Sequence, residues 1–201
     1  MTIGRQLVGS IKLLDAEAAL AKRLDRDYLR LKIRKADPPH LVIVGVLEAA
    51  VPFVQSVADQ LVLNHPKHAD RVHVAWALVK SYSGTKQRRK PRAKDVKLLS
   101  WPALRYPWVV LLDTVLDSGA TLAAVMEQLD GQGHHVDEVV CLVGKKDVVQ
   151  KCAEISTFGY GGLVDVSVCF DLNTDAFLVG HGLDHNGLYR QLPAIHALRE
   201  S

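Results

Sequence analysis

The sequence predicts an α/β fold, a mostly parallel twisted sheet flanked by helices on both faces. Three observations carry this. Short β-branched runs at 41–47 and 108–112 are apolar without alternation, as strands covered on both sides must be. Segments with three- and four-residue apolar spacing separate these runs, which is the signature of crossover helices. The 201 residues, 48% hydrophobic and 23% charged, suit one domain that buries roughly 70% of its unfolded surface. No repeat, low-complexity segment or linker divides the chain, so residues 1–201 are expected to form a single domain.

In order, Asp15 is placed to cap a first helix whose apolar positions are Leu20, Leu24, Tyr28 and Leu31. Asp37-Pro38-Pro39 ends it, because proline lacks an amide hydrogen and restricts its predecessor. A strand at 40–47 leads to a helix at 49–61, and 71–82 alternates well enough for a second strand. Residues 86–97 read as a loop. The buried strand at 108–112 runs into a turn and a helix at 119–130, with Leu122, Val125, Met126 and Leu129 on one face. Further strands are expected at 137–143, 164–170 and 177–179.

Charge is concentrated. Residues 86–97 hold seven basic side chains against one acid, net +6, so the rest of the chain carries −3 of the total +3. The basic isoelectric point thus describes one segment, which argues against a protein that coats nucleic acid. Cys141, Cys152 and Cys169 are odd in number and widely spaced, so neither a disulfide framework nor a cysteine-rich zinc site is indicated. The first ten residues lack the apolar core of a signal peptide, and the longest apolar run is far short of a membrane span. A reducing, cytoplasmic setting without membrane association is the expectation.

The chemistry is concentrated in the segment that follows the apolar run Val109, Val110, Leu111 and Leu112. There a strand delivers Asp113 and, beyond Thr114, Val115 and Leu116, a second carboxylate at Asp117. Ser118, Gly119, Ala120 and Thr121 then open a helix. Unpaired amides at a helix N-terminus, with hydroxyls and a glycine, form a cradle for a phosphate dianion. Upstream carboxylates can hold ribose hydroxyls, a metal or a proton. The blander reading is a strand–turn–helix capped by Asp117 or Ser118.

This segment resembles the phosphoribosyl-diphosphate (PRPP) signature of the type I phosphoribosyltransferases. Other segments, in the matching order, resemble one branch, the hypoxanthine-guanine phosphoribosyltransferases. The run from Leu41 through Leu47, Glu48, Ala49, Ala50, Val51, Pro52 and Phe53 resembles the first strand and pyrophosphate loop. Ser81-Tyr82 resembles the opening of the mobile catalytic loop. Phe177, Leu178, Val179, Gly180, His181, Gly182, Leu183, Asp184 and Arg190 lie in a stretch similar to the carboxyl-terminal purine segment. The resemblance extends from about Leu13 to about Ile195. It implies the type I fold with a small hood built from terminal segments.

The resemblance also implies roles. A purine base displaces pyrophosphate from PRPP, with Mg²⁺ neutralising the leaving group. Asp117 matches the general base at purine N7; Ser118, Gly119, Ala120 and Thr121 match the 5′-phosphate cradle; Asp113 matches the first acid on the ribose and a metal-side carboxylate. Phe177 would stack on the purine, Leu178 would offer backbone groups to its edge, Asp184 would ligate Mg²⁺ and Arg190 would contact pyrophosphate. Lys145 fits best as the reader of the 6-oxo group, with Lys146 one register away. A homo-oligomer, dimer or tetramer, is implied. Two departures stand out: Thr114 replaces the usual second acid, and Glu48 replaces a lysine in the pyrophosphate loop, where a carboxylate repels unless it turns away or pairs with a base. They leave three functional readings: a purine-salvage enzyme making IMP or GMP, a weak or inactive nucleotide- or PRPP-binding regulator, and an enzyme retuned to xanthine or another base.

Other features read more plainly. His181 and His185 lie on strand and turn and need not share a face, so a metal site there is not expected. His65 and His68 read as exposed loop residues, and His134-His135 as companions of a helix C-terminus. Phe158-Gly-Tyr-Gly-Gly162 does not follow a strand and reads as a turn; Trp76, Trp101 and Trp108 read as packing residues. The basic segment reads as a catalytic lid, an RNA contact or a solvated loop. Ser81-Tyr82 at its start favours the lid, and the lack of interleaved aromatics disfavours RNA.

Overall fold

A buried strand must find partners for its amides and carbonyls on both edges, and the apolar runs do so by pairing with each other. The computed structural model describes residues 2–30, 39–79, 90–157 and 164–199. Ser81, Tyr82, the first part of the basic segment and the Phe158–Gly162 turn lie outside the described residues.

The elements are β1 (Thr2–Val8), α1 (Ser10–Leu24), β2 (Leu41–Leu47), α2 (Val51–Asn64), β3 (Val72–Val79), β4 (Val96–Leu99), β5 (Trp108–Leu116), α3 (Ala120–Gly131), β6 (Glu138–Gly144), α4 (Val148–Ser156), β7 (Asp165–Asp171), β8 (Leu178–Val179) and β9 (Ile195–Arg199). A six-stranded sheet has the order β4-β3-β2-β5-β6-β7, parallel throughout except for the β3–β4 edge pair. A second sheet, β1-β9-β8, is antiparallel and joins the two chain ends with the segment before them, which is the hood anticipated from the sequence.

Each face of the main sheet has its own core. On one, α1 and α2 pack through Leu13, Leu20, Leu24, Phe53, Val57 and Leu61 against Leu41, Ile43, Val110 and Leu112, and hood residues Val8, Leu178 and Ile195 close this core at its edge. On the other, α3 and α4 pack through Leu122, Val125, Met126, Leu129 and Ile155 against Val42, Val44, Val109 and Leu111. The alternate residues of β2 and β5 divide between the two cores, which is why these strands read as continuous apolar runs.

Several boundaries differ from expectation. Helix α1 starts after Gly9, five residues before Asp15, because Leu13 extends the buried stripe by one turn, and a π-helical turn (Asp25–Arg30) continues it. That turn explains a correction: His68 is buried, not exposed, with Nδ1 2.7 Å from the buried Asp25 carboxylate, which Arg30 Nε meets at 2.5 Å. The end of the basic segment is not loop. A 3₁₀ turn (Ala93–Asp95) leads into β4, whose buried Val96 pairs with β3. His134 is stacked on Trp101, ring centroids 4.2 Å apart, rather than standing alone at a helix end. Strand β5 runs on through Asp113 and Thr114 because its pairing with β6 continues to Leu116. Strands β1 and β9 and helix α4 were not anticipated. At the sheet's opposite end, buried Glu138 is held by Arg23 and by the Tyr28 hydroxyl at 2.9 Å. Among the described residues no helix is long and apolar enough to cross a membrane.

Gly45 lies mid-β2, and a Cβ there would fall 2.5 Å from the Trp76 ring and 2.8 Å from Val54. Both neighbours are held in packed layers, so Gly45→Ala is expected to cost about 1–3 kcal/mol by overpacking. A fall in melting temperature of roughly 2–4 °C per kcal/mol, read by calorimetry, checks this.

Candidate functional site

Parallel strands place their carboxyl ends on one rim, and β2, β5 and β6 each end there in residues singled out from the sequence. Strand β2 ends at Leu47 and hands on to Glu48 and Ala49 through a cis Leu47–Glu48 peptide. Strand β5 hands on to Asp117 and Ser118. Strand β6 hands on to Lys145, whose amide donates to the Leu116 carbonyl at 3.0 Å and so continues the ladder past the formal strand end.

Lys145 and Asp117 meet. Nζ lies 3.4 Å from Oδ2, with the lysine side chain 16% and the aspartate 65% exposed. Lys146 points elsewhere and pairs with Asp175. The register left open in the sequence thus falls to Lys145 as the lysine beside Asp117.

Beyond Asp117 the chain turns through Ser118 and Gly119 into α3. Gly119 has φ 73°, the left-handed region that favours glycine, and a Cβ on it would push on the tip of the Ile155 side chain at 2.6 Å. The first-turn amides of α3, Ala120 and Thr121 among them, have no partners within the helix and carry its positive dipole end. Ser118, Gly119 and Ala120 line a cavity of about 680 Å³ together with Lys90 and Arg92. The residues expected to form the phosphate cradle thus stand at a helix start, beside a cavity lined by Lys90 and Arg92 and by Glu127 and Glu154.

The two residues after Leu112 behave differently from expectation. Thr114 has no exposed surface, and its hydroxyl has no hydrogen-bond partner among the described residues. It lies within β5, behind the rim. Asp113 turns back on its own strand, accepting from the Thr114 amide at 2.7 Å. Burial pushes its carboxyl up to about 7, opposed by the hydrogen bonds from the Thr114 and Val115 amides.

The pyrophosphate-loop departure is resolved by a partner. Arg190 Nη2 lies 3.0 Å from Glu48 Oε2 and 2.9 Å from Asp184 Oδ1, while Nη1 donates to the Gly182 carbonyl at 3.0 Å. Asp184 Oδ2 accepts from the Gly187 amide at 2.6 Å. Glu48 thus pairs with a base, one of the two outcomes its position allowed. In the hood, Phe177 is 48% exposed and meets His185 edge-on at 5.4 Å, and Leu178 is buried with its backbone in β8.

Sequence reading passed over Glu17, which is fully buried in α1, with Ser56 donating to one oxygen at 2.6 Å and His181 Nε2 at 2.7 Å from the other. The available signal was a carboxylate on the stripe Leu13, Glu17, Leu20, Ala21 and Leu24, where apolar residues belong.

A twisted parallel sheet whose acid-bearing central strand opens onto a helix N-terminus defines the class of α/β proteins that bind phosphorylated ligands at strand ends. The sequence family described as the phosphoribosyl transferase domain matches residues 10–152, and the chain belongs to it. The hypoxanthine-guanine phosphoribosyltransferase of Mycobacterium tuberculosis is 29% identical over 182 residues, covering 90% of this chain and 79% of that protein. That of Streptococcus agalactiae is 28% identical over 165 residues, covering 79% and 77%. A crystal structure of Staphylococcus aureus hypoxanthine phosphoribosyltransferase superposes with a TM-score of 0.70 at 22% identity, covering 98% of this chain and 92% of that one.

The Asp113 carboxyl makes stability depend on pH. Its folded value lies above its unfolded one, so the folded state holds a proton that the unfolded state releases between about 4 and 7, and stability falls across that window. Asp113→Asn removes the fall. The variant is expected to match the parent near pH 4 and to exceed it at pH 8 by up to about 4 kcal/mol, a difference that calorimetric unfolding at the two pH values would display.

Proposed function

We propose that this protein is a purine-salvage phosphoribosyltransferase, transferring the phosphoribosyl group of PRPP to a 6-oxopurine, hypoxanthine or guanine, to give IMP or GMP and pyrophosphate. The observation that carries the reading is the meeting of Asp117 and Lys145 at the end of the acid-bearing strand, directly before the phosphate-suited start of α3. The 24–29% identical relatives named as hypoxanthine-guanine phosphoribosyltransferases support the choice of acceptor. Residues 1–201 form one such domain in this reading, as a cytoplasmic homo-oligomer. The exposed Ile11 and Leu14 on α1 are in keeping with subunit contacts, and free Cys141, Cys152 and Cys169 with a reducing compartment.

Asp117 takes the proton-accepting role at purine N7, its exposed carboxylate standing where an incoming base arrives. Lys145 donates to the 6-oxo group and orients the base against Asp117. Phe177 offers its open ring face to the purine, and Leu178 its backbone to the purine edge. Ser118, Gly119, Ala120 and Thr121 hold the 5′-phosphate through amides and hydroxyls. Arg190 and the amides of Leu47, Glu48 and Ala49 receive the diphosphate.

Mg²⁺ fits this arrangement through one carboxylate. Among the described residues no group of three histidine, cysteine or acidic side chains can hold a metal, but magnesium typically takes one or two carboxylates and completes its shell with water and substrate oxygens. Asp184, partly exposed at the diphosphate side, is suited to that part; the ion would supply charge neutralisation of the leaving diphosphate. In this reading Ser81-Tyr82 open the lid, and the part of the basic segment before Ala93 belongs to it.

Product formation from PRPP and Mg²⁺ with hypoxanthine, guanine, xanthine and adenine in parallel tests the assignment. Turnover of a 6-oxopurine is expected; nucleotide binding without turnover of any of the four would replace the enzyme with a regulator. Asp117→Asn should lower kcat by roughly 10²-fold or more while nucleotide still binds. Lys145→Ala should reduce the preference for 6-oxo over 6-amino purine by about 10- to 100-fold, the worth of one charged hydrogen bond, as read from the ratio of kcat/KM values. Glu48→Gln should lower KM for PRPP by up to about fivefold, since an exposed ion pair is worth at most about 1 kcal/mol and its loss frees Arg190.

A further inference from the structure

The buried Glu17 carboxylate has a geometry that its own helix does not explain. A charged group with no solvent exposure is costly unless every lone pair is engaged, and here Ser56 of α2 and His181 of the hood engage one oxygen each. His181 is the middle residue of Gly180-His181-Gly182, a turn with three successive positive φ values of 96°, 48° and 93°. A non-glycine residue there is uncommon, and the Glu17 bond gives it a reason.

The turn is wedged between two segments. A Cβ on Gly182 would lie 2.0 Å from the Ala49 carbonyl, and one on Gly180 2.0 Å from the Ala194 carbonyl. Backbone therefore presses directly on the loop after β2, on the one side, and on the approach to β9, on the other. The same turn fixes the residues that follow it. The His181 amide donates to the Leu192 carbonyl at 2.7 Å, the Gly182 amide to the Arg190 carbonyl at 3.0 Å, and the Gly182 carbonyl accepts from the Arg190 guanidinium at 3.0 Å.

We propose that the Glu17–His181 couple is a positioning device that sets the separation between the Glu48–Ala49 loop and the hood residues Asp184 and Arg190, and thereby the affinity for the diphosphate half of PRPP. The proposal rests on the phosphoribosyl-transfer reading. Glu17 touches no substrate in it; the carboxylate acts through His181, which holds the turn against Ala49, and the turn in turn aims Arg190.

Three variants test it: Glu17→Gln, which keeps shape and removes charge; His181→Phe, which removes the imidazole; and Ser56→Ala, which removes the other partner of Glu17 without touching the turn. Inorganic pyrophosphate binding with Mg²⁺ is measured by calorimetry, steady-state constants are measured for both substrates, and thermal unfolding is recorded on the same samples. Glu17→Gln and His181→Phe are expected to weaken pyrophosphate binding and raise KM for PRPP about tenfold, with KM for the purine within about twofold; Ser56→Ala is expected to lower melting temperature alone. Melting temperatures that fall in the first two variants while pyrophosphate affinity and KM for PRPP stay at parental values would overturn the proposal. So would Ser56→Ala weakening pyrophosphate as much as His181→Phe, since that assigns the effect to α1–α2 packing. A parent protein that neither turns over PRPP nor binds pyrophosphate defeats the underlying reading instead, a result visible before any variant is made.

Discussion

Everything at the rim hangs on the register of β5 between β2 and β6. The strand is buried on both faces, so each backbone group must pair on both edges and the ladder fixes the axial position of every residue. Gly45 lies opposite Leu112, which ends the apolar run two residues before the β2 strand ends at Leu47. On the other edge, pairing of Leu116 with Gly144 puts Lys145 level with Asp117. A one-residue slip would exchange the two faces of the strand, sending Leu111 and Leu112 into the wrong cores. The packed cores and the two ladders together hold the register that brings Asp117 to Lys145.

The charges at that rim are arranged in opposition. Lys145 faces Asp117, Lys146 faces Asp175, and Arg190 faces Glu48 and Asp184 together. A polyanionic ligand entering such a site displaces carboxylates from cations as it binds, so part of its attraction is offset by ion pairs already made. These pairs are mostly exposed and individually weak, which keeps that offset small. The contrast with Glu17 is instructive: its pair with His181 is enclosed, and breaking one side leaves a charge with nowhere to go. Exposed pairs tune affinity and the enclosed pair sets geometry.

Much of this was legible in the sequence. The strands β2 and β5, the helix α3 and the acid–turn–hydroxyl pattern between them are written in local terms: unbroken β-branched runs, a glycine that must take positive φ, apolar residues at helical spacing. What escaped was non-local. Strand β4 is four residues whose apolar alternation is hidden within a basic segment, and it exists because β3 presents an edge. Strands β1 and β9 are half-exposed and depend on each other, from opposite ends of the chain. His68 read as a surface residue because its partner, Asp25, is 43 residues away, and the pairing of Glu48 with Arg190 spans a still longer separation.

The substitution of Thr114 follows the same logic of burial. At that position the chain sits inside the rim, fully enclosed, where a carboxylate would have to be neutralised or paired. Asp113 next to it already bears that cost, its carboxyl raised to about 7 by enclosure and relieved in part by two amides of its own strand. A second acid at 114 would be a fully buried carboxylate on the opposite face of the strand, adding a second desolvation cost next to the first. A threonine asks only for its hydroxyl to be tolerated. The sheet therefore keeps its strand end intact with one perturbed acid rather than two, and leaves the exposed carboxylate, Asp117, to stand one turn further out where solvent and Lys145 both reach it.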